Sequence, residues 1–264
     1  MEQKAGHRYS TAVGKQESPD SSQGRNGSLQ RALLPQRIEQ SERHIQRQRQ
    51  TTITEVGNKF AGRLRHFYSA WSQISSNSVI LDWTQGLKLP FLSKPIQDSP
   101  TCFKTSVNHC KLLREAVLEL LALGAVEKCS SSAGEFISPI FLADKPNGKK
   151  RFILNLKKFN TFLSTPHFKM EDYRTASKLI RSNSFLTTID LENAYFVVPI
   201  FKDDRKFLRF WFDNSLYEFS CLPFGLACAP YVFTKLIKPV VSFLRREGIT
   251  IINYLDDFLI IGDS

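Results

Sequence analysis

Apolar side chains are sparse over the first 55 residues, and Arg37 to Gln50 is built almost wholly from Gln, Arg, Glu, Ser and His. Such a stretch buries too little to offset the entropy of ordering it, so 1–55 is expected to be a disordered polar and basic tail. The pattern changes near Phe60. Phe60, Leu64, Phe67 and Trp71 recur at near-helical spacing, and Gly86-Leu-Lys-Leu-Pro-Phe91 reads as a short extended segment entering a Pro-marked loop. Residues 105–123 carry the clearest helical signal. Val107, Leu112, Leu113, Ala116, Val117, Leu120 and Leu121 make one broad apolar face, with Gly124 as the C-cap and Ala125-Val-Glu leading away.

Downstream the period shortens. Phe136-Ile-Ser-Pro-Ile-Phe-Leu-Ala143 reads as a strand, Pro146-Asn-Gly148 as a turn and Arg151-Phe-Ile-Leu-Asn-Leu156 as the returning strand. The tip of that hairpin holds Lys145, Lys149, Lys150 and Arg151. Leu186-Thr-Thr-Ile-Asp-Leu191 predicts another strand, with a turn or short helix at Glu192-Asn-Ala-Tyr195. Phe207–Phe212 and Leu216–Phe219 flank Asp213-Asn214 as a second hairpin. Ala229 to Arg246 is amphipathic, with Pro230 tolerated in its first turn. Ile249 to Ile261 is two β-branched and apolar runs meeting at Asp256-Asp257. Strands and helices mix without strict alternation, so the class is α+β.

Composition adds a partner class. The chain of 264 residues carries a net charge of +11, which suits a polyanion (nucleic acid, nucleotide or an anionic membrane) or simply keeps a basic protein soluble. Five cysteines, an odd count without CxxC spacing, argue against a disulfide framework or zinc ribbon and for reduced thiols in an intracellular protein of the cytoplasm or nucleus. The polar N-terminus has no signal-peptide apolar core, and no apolar run approaches the ~20 residues that span a bilayer, so no membrane partner is expected.

The carboxylates suggest chemistry. Asp203-Asp204 lies among Lys202, Arg205 and Lys206 and reads as a solvated turn. Asp256-Asp257 instead lies between apolar strands, where adjacent like charges are costly unless a cation neutralises them. Asp190 ends an apolar strand and can be aimed at that hairpin. Three carboxylates from two strands could hold two Mg²⁺ ions roughly 3.5–4 Å apart, although an acidic turn facing water remains open. Lys145 and Arg151 could then meet a triphosphate, or merely solubilise their hairpin tip. A glycosidase carboxylate pair would leave the basic hairpin unexplained, and no Walker-type GxxxxGK[ST] is present.

These residues resemble a known family. Tyr254-Leu-Asp-Asp257 resembles the YxDD box of reverse transcriptases, and Asp190-Leu-Glu-Asn-Ala-Tyr-Phe196 their first palm motif. Leu222-Pro-Phe-Gly-Leu226, followed by Ala229-Pro230 and Phe233, is similar to their LPxG-to-helix segment. Ser138-Pro-Ile-Phe141 through Lys145, Gly148 and Arg151 to Asn160 is similar to their fingers hairpin. The four stand in the family's order between about 110 and 264.

The resemblance implies a right-hand polymerase: fingers and partial palm over 106–264, an antiparallel palm sheet with packed helices, and a lead-in over 56–105. It implies Asp190, Asp256 and Asp257 as catalytic metal ligands, with the Leu191 carbonyl as a backbone ligand. The metal would be Mg²⁺, two ions, with Mn²⁺ as substitute. Lys145 and Arg151 would bind the triphosphate, and Phe224 and Gly225 would floor the nucleotide pocket. Tyr195 would lie under the sugar and clash with a ribose 2′-OH, or simply pack in the core. Tyr254 and Leu255 complete the motif. Phe224, Asn193 and Asn155 stand where some relatives carry Gln, Asp and Asp. Partners would be an RNA or DNA template with primer, and deoxynucleoside triphosphates.

Within the family, His167-Phe-Lys-Met-Glu171, Asp204–Arg209, Val232–Pro239 and Gly86–Phe91 are similar to DIRS-type, tyrosine-recombinase retrotransposons. The chain ends at Ser264, soon after Asp257, so a C-terminally truncated polymerase without a thumb is expected. The alternative is an inactive remnant that at most binds nucleic acid.

Overall fold

The computed structural model describes residues 59–99, 107–144 and 150–262. The expected tail, Cys102, the turn at Pro146–Gly148 and Lys145 lie outside the described residues.

The lead-in begins with a 3₁₀ turn, Arg63–Phe67, running into helix α1 (Tyr68–Ile74), then α2 (Ser78–Gln85). The Asn77 side chain caps α2, accepting from the backbone N–H groups of Val79 and Ile80. The Gly86–Phe91 segment is extended as expected. It bridges Leu87 to Ile200 and Phe91 to Leu163, and buries Leu87 and Leu89. Leu64, Trp71 and Ile80 join the same core as Phe159, Val198 and Phe233. The described residues fall in one compact unit.

Helix α3 (Val107–Ala122) buries Leu113, Val117 and Leu120, and Gly124 follows at φ 72°. That left-handed position closes a helix at little cost only for glycine. Leu112, expected on the apolar face, is exposed, because it lies about 100° round the helix from Leu113. Strand β1 (Val126–Cys129) then pairs with β6 (Ser215–Phe219), which pairs with β5 (Arg209–Phe212). Asp213 and Asn214 turn that hairpin at φ 47° and 54°, as their sequence predicts.

The basic hairpin is β2 (Ile140–Asp144) against β3 (Lys150–Leu154), in register from Ile140↔Leu154 to Asp144↔Lys150. The strand begins four residues later than expected. Ile137 bridges Arg209 instead, and Pro139 offers its carbonyl to the Asn155 N–H at 2.8 Å but has no N–H of its own.

A buried ion-pair cluster ties this region to β5 and β6. Arg209 contacts Glu218 at 2.7 Å and Glu135 at 2.5 Å, and donates to the Ser132 hydroxyl at 2.8 Å. Burial disfavours the Arg209 charge, but its hydrogen bonds to both carboxylates outweigh that and raise its pKa.

Asp204 corrects the expectation of a solvated turn. Asp203 is exposed, but Asp204 is half-buried and accepts the Leu89 N–H at 2.8 Å. Lys202, Arg205 and Lys206 made the site look wet, and the extended lead-in covers it.

The remaining sheet has the order β4 (Phe185–Asp190), β8 (Asp257–Gly262), β7 (Thr250–Tyr254), all antiparallel. Helix α4 (Tyr173–Leu179), capped by Asp172, precedes β4. Helix α5 (Ala229–Arg246) packs behind β7 with Val232, Phe233, Leu236, Ile237 and Val241 buried. Its bounds match the sequence reading. Pro239 inside it removes one backbone bond. Every residue of β4 is exposed, so the apolar strand that carries Asp190 is not packed on a core among the described residues.

Candidate active site

The register of the three-stranded sheet assembles the site. β4 ends at Asp190 and β8 begins at Asp257, and these two are cross-strand partners. Directly paired residues on antiparallel strands share a face, with Cβ atoms about 4.5–5.5 Å apart. Tyr254 is the partner of Asp257 on the other side. Only Leu255 and Asp256 separate β7 from β8, and the Leu191 N–H donates to the Asp256 carbonyl at 3.0 Å, extending the pairing past the strand end. Leu255 takes φ 55°, where a branched residue is strained by roughly 1–2 kcal/mol.

A buried asparagine and a partly exposed ion pair hold that turn. The Asn253 side-chain amide donates to the Leu255 carbonyl at 2.7 Å. The Asn253 backbone N–H donates to Glu171 at 3.1 Å. Arg245, in the last turn of α5, donates to both Glu171 oxygens at 2.7 and 2.8 Å and to the Ile251 carbonyl. Glu171 thus couples the segment before α4 to both α5 and β7. The sequence reading missed this brace.

Asp190, Leu191 and Asp256 line a cleft of about 300 Å³, which Lys150, Arg151 and Phe152 of β3 also line. Phe224 also lines it. Acidic and basic residues therefore line one cavity, with Glu119 and Glu192 as further acidic lining. Lys150 pairs with Asp144.

The remaining expected residues lie beside the cleft. Tyr195 is buried, with its ring 5.0 Å from Phe224 and 5.3 Å from Phe233. Burial first, then the nearby Asp256 charge, push its hydroxyl up to about 12. Gly225 sits at φ 90°, and its carbonyl accepts the Asn160 side-chain amide at 3.0 Å. Asn160 also accepts the Ala227 N–H at 2.9 Å, pinning the Leu222–Leu226 loop to the fingers. Tyr254 is exposed.

The donor chemistry fits a hard divalent cation: three carboxylates, two of them opposed on one face and solvent-exposed. Their side chains are not drawn together. Among the described residues no three His, Cys, Asp or Glu side chains are close enough to hold a metal ion as they stand. Neither Asp190 nor Asp257 has a side-chain hydrogen bond that would prevent rotation toward a cation, among the described residues.

Residues 143–264 match the family described as reverse transcriptase (RNA-dependent DNA polymerase). The chain is 28% identical over 157 residues to the Gag-Pro-Pol polyprotein of Human T-cell leukemia virus 2, covering 56% of this chain and 10% of that one. It is 27% identical over 151 residues to the retrovirus-related Pol polyprotein from transposon opus of Drosophila melanogaster, covering 55% and 15%. The fold is similar to that of the foamy viral protease-reverse transcriptase, solved in complex with dsDNA. That likeness has a TM-score of 0.55 at 23% identity, over 67% of this chain and 36% of the other. The chain thus spans about a tenth to a quarter of the length of these polyprotein relatives.

Proposed function

From the premise that residues 143–264 are by family a reverse transcriptase domain, and so a nucleotidyltransferase, we propose that this chain extends a primer 3′-end with deoxynucleotides on an RNA template. The observation that carries this reading is the pairing of Asp190 with Asp257, while Asp190 and Asp256 line the same cleft as Lys150 and Arg151.

Asp190, Asp256 and Asp257 would hold two Mg²⁺ ions, or Mn²⁺ in their place, with the Leu191 carbonyl as a backbone ligand. Bound there, the ions supply activation of a primer 3′-hydroxyl and neutralise the charge on departing pyrophosphate. The fingers guanidinium of Arg151 meets the triphosphate with charge-assisted hydrogen bonds, and Lys145 serves with it. Phe224 and Gly225 form the floor. Tyr195 backs Phe224 and sets the depth left for the sugar. The matches at His167–Glu171 and Val232–Pro239 support a DIRS-type retrotransposon as the source, whose own RNA would be the template.

A second reading has a specific observation behind it. The three carboxylates are not drawn together, and β4 is exposed on both faces. On that reading the chain binds nucleic acid without catalysis. Primer extension on an RNA template with Mg²⁺ separates the two. Extension that disappears in Asp256→Asn supports the polymerase, whereas salt-sensitive RNA binding with no extension supports the second.

A further inference from the structure

A second cavity, of about 510 Å³, opens on the flank of α5, against the loop that joins α1 to α2. It shares no lining residue with the catalytic cleft. Lys235, Lys238 and Arg246 line it, and no Asp or Glu does. None of the three lies within 4.0 Å of a carboxylate among the described residues; the ion pairs there belong to Arg114, Lys150, Arg205, Arg209 and Arg245.

The spacing is deliberate in helical terms. Positions 235, 238, 242 and 246 are three, four and four apart, so they form one stripe on α5. Phe233, two residues before Lys235, is buried against Tyr195 at 5.3 Å. Two residues correspond to about 200° round a helix, so the basic stripe faces away from the Tyr195 side. From Lys235 to Arg246 the helix rises roughly 16 Å, enough to follow successive phosphates of one strand. Ser76 and Ser242 add hydroxyl donors, and Ile74, Ile80 and Pro239 give an apolar floor on which a sugar or base edge can rest.

We propose that this groove is a second nucleic-acid site, which holds the sugar-phosphate backbone of a single strand on the side of α5 opposite the cleft. Lys235 and Lys238, three apart, repel one another, and phosphates would convert that repulsion into binding with release of counterions, with Arg246 extending the track. A concave groove with its apolar residues at the floor fits a strand better than a membrane surface, which calls for apolar side chains that project.

The test uses the full chain and a single-stranded oligoribonucleotide, with no primer, nucleotide or divalent metal, so an absence of polymerase activity does not affect it. Fluorescence anisotropy across a salt series gives the slope of log K against log salt. Replacing all three with Gln (Lys235→Gln, Lys238→Gln, Arg246→Gln) should lower the slope by about 2, at ~0.7 per phosphate contact. The corresponding Glu set should weaken binding further, and Arg151→Gln in the cleft should leave the groove's share in place. An unchanged slope in the Gln and Glu sets overturns the site. So does RNA binding lost wholly in Arg151→Gln. Binding of anionic vesicles or of an acidic peptide that depends on the three residues, while the RNA slope does not, also overturns it.

Discussion

Asp190 and Asp257 face each other as the terminal pair of the β4–β8 ladder, at the point where the turn carrying Asp256 begins. Like charges directly opposite across two strands are destabilising, by an amount on the order of 0.2–1 kcal/mol. A cation bound as proposed above would offset that cost. Asp190→Asn and Asp257→Asn should therefore fold at least as stably as the parent in metal-free buffer. Primer extension should fall by about 10³-fold or more in each, and in Asp256→Asn. Mg²⁺ should raise the melting temperature of the parent but not of the variants. A thermal scan with and without Mg²⁺, run beside the extension assay, checks both halves. A large loss of stability in metal-free Asp190→Asn would contradict the account.

Glu171 should matter to the reaction without touching a substrate. Its carboxylate accepts from Arg245 and from the Asn253 N–H, and Asn253 in turn holds the Leu255 carbonyl in the strained turn. Asn253→Ala removes that hold from a residue held at φ 55°. The expected result is a kcat reduced about tenfold or more, corresponding to roughly 1.4 kcal/mol, with KM for the nucleotide changed much less. Glu171→Gln, which keeps one acceptor oxygen, should lie between Glu171→Ala and the parent. Equal loss in kcat and in folded fraction across all three would reduce the brace to a matter of stability alone.

The contrast between these two groups shows what a linear sequence carries. Asp256-Asp257 was legible because apolar runs on both sides predict a hairpin, and Asp190 because it ends another such run. Helix α5 and the Asp213-Asn214 turn were legible for the same reason: their determinants are local. Glu171 and Asn253 meet across 82 positions of sequence, and nothing near Glu171 signals the meeting. Asp204 misled because its neighbours in the chain are charged, whereas its partner is the distant Leu89 N–H. The start of β2 moved because Ile137 found a partner in Arg209, a pairing set by the tertiary fold.

Asp204 gives a pH-dependent test. Burial raises its pKa, the Leu89 N–H opposes that, and Asp203 adds to it. A carboxyl whose folded pKa lies above its unfolded value contributes stability fully below the unfolded pKa. That contribution is lost as pH rises through the folded pKa. Asn at this position keeps an acceptor for Leu89 and carries no charge. Asp204→Asn should therefore equal or exceed the parent in stability at neutral pH, with the difference shrinking as acid protonates the parent's Asp204. Chemical denaturation at neutral and acidic pH measures it. A variant that is weaker at neutral pH and gains on acidification would reverse the sign and refute the burial argument.

Tyr195 separates packing from selection. Its ring contacts Phe224, which lines the cleft, and Phe233, which belongs to the core, so shortening it acts on both. Tyr195→Phe retains the ring and loses only a hydroxyl that burial keeps protonated, and should be nearly silent in activity and in sugar preference. Tyr195→Ala opens space beneath Phe224. It should cost about 3–5 kcal/mol in stability, the usual range for a buried aromatic truncated to Ala. If the ring sets the depth of the sugar pocket, the same variant raises kcat/KM for ribonucleotides relative to deoxynucleotides by tenfold or more, about 1.4 kcal/mol of discrimination. Tyr195→Val, with a smaller cavity, guards against outright unfolding. Competitive incorporation of ribo- and deoxynucleotides by the folded fraction gives the ratio. An unchanged ratio in a folded Tyr195→Val chain would leave the ring as core packing and remove it from the nucleotide site.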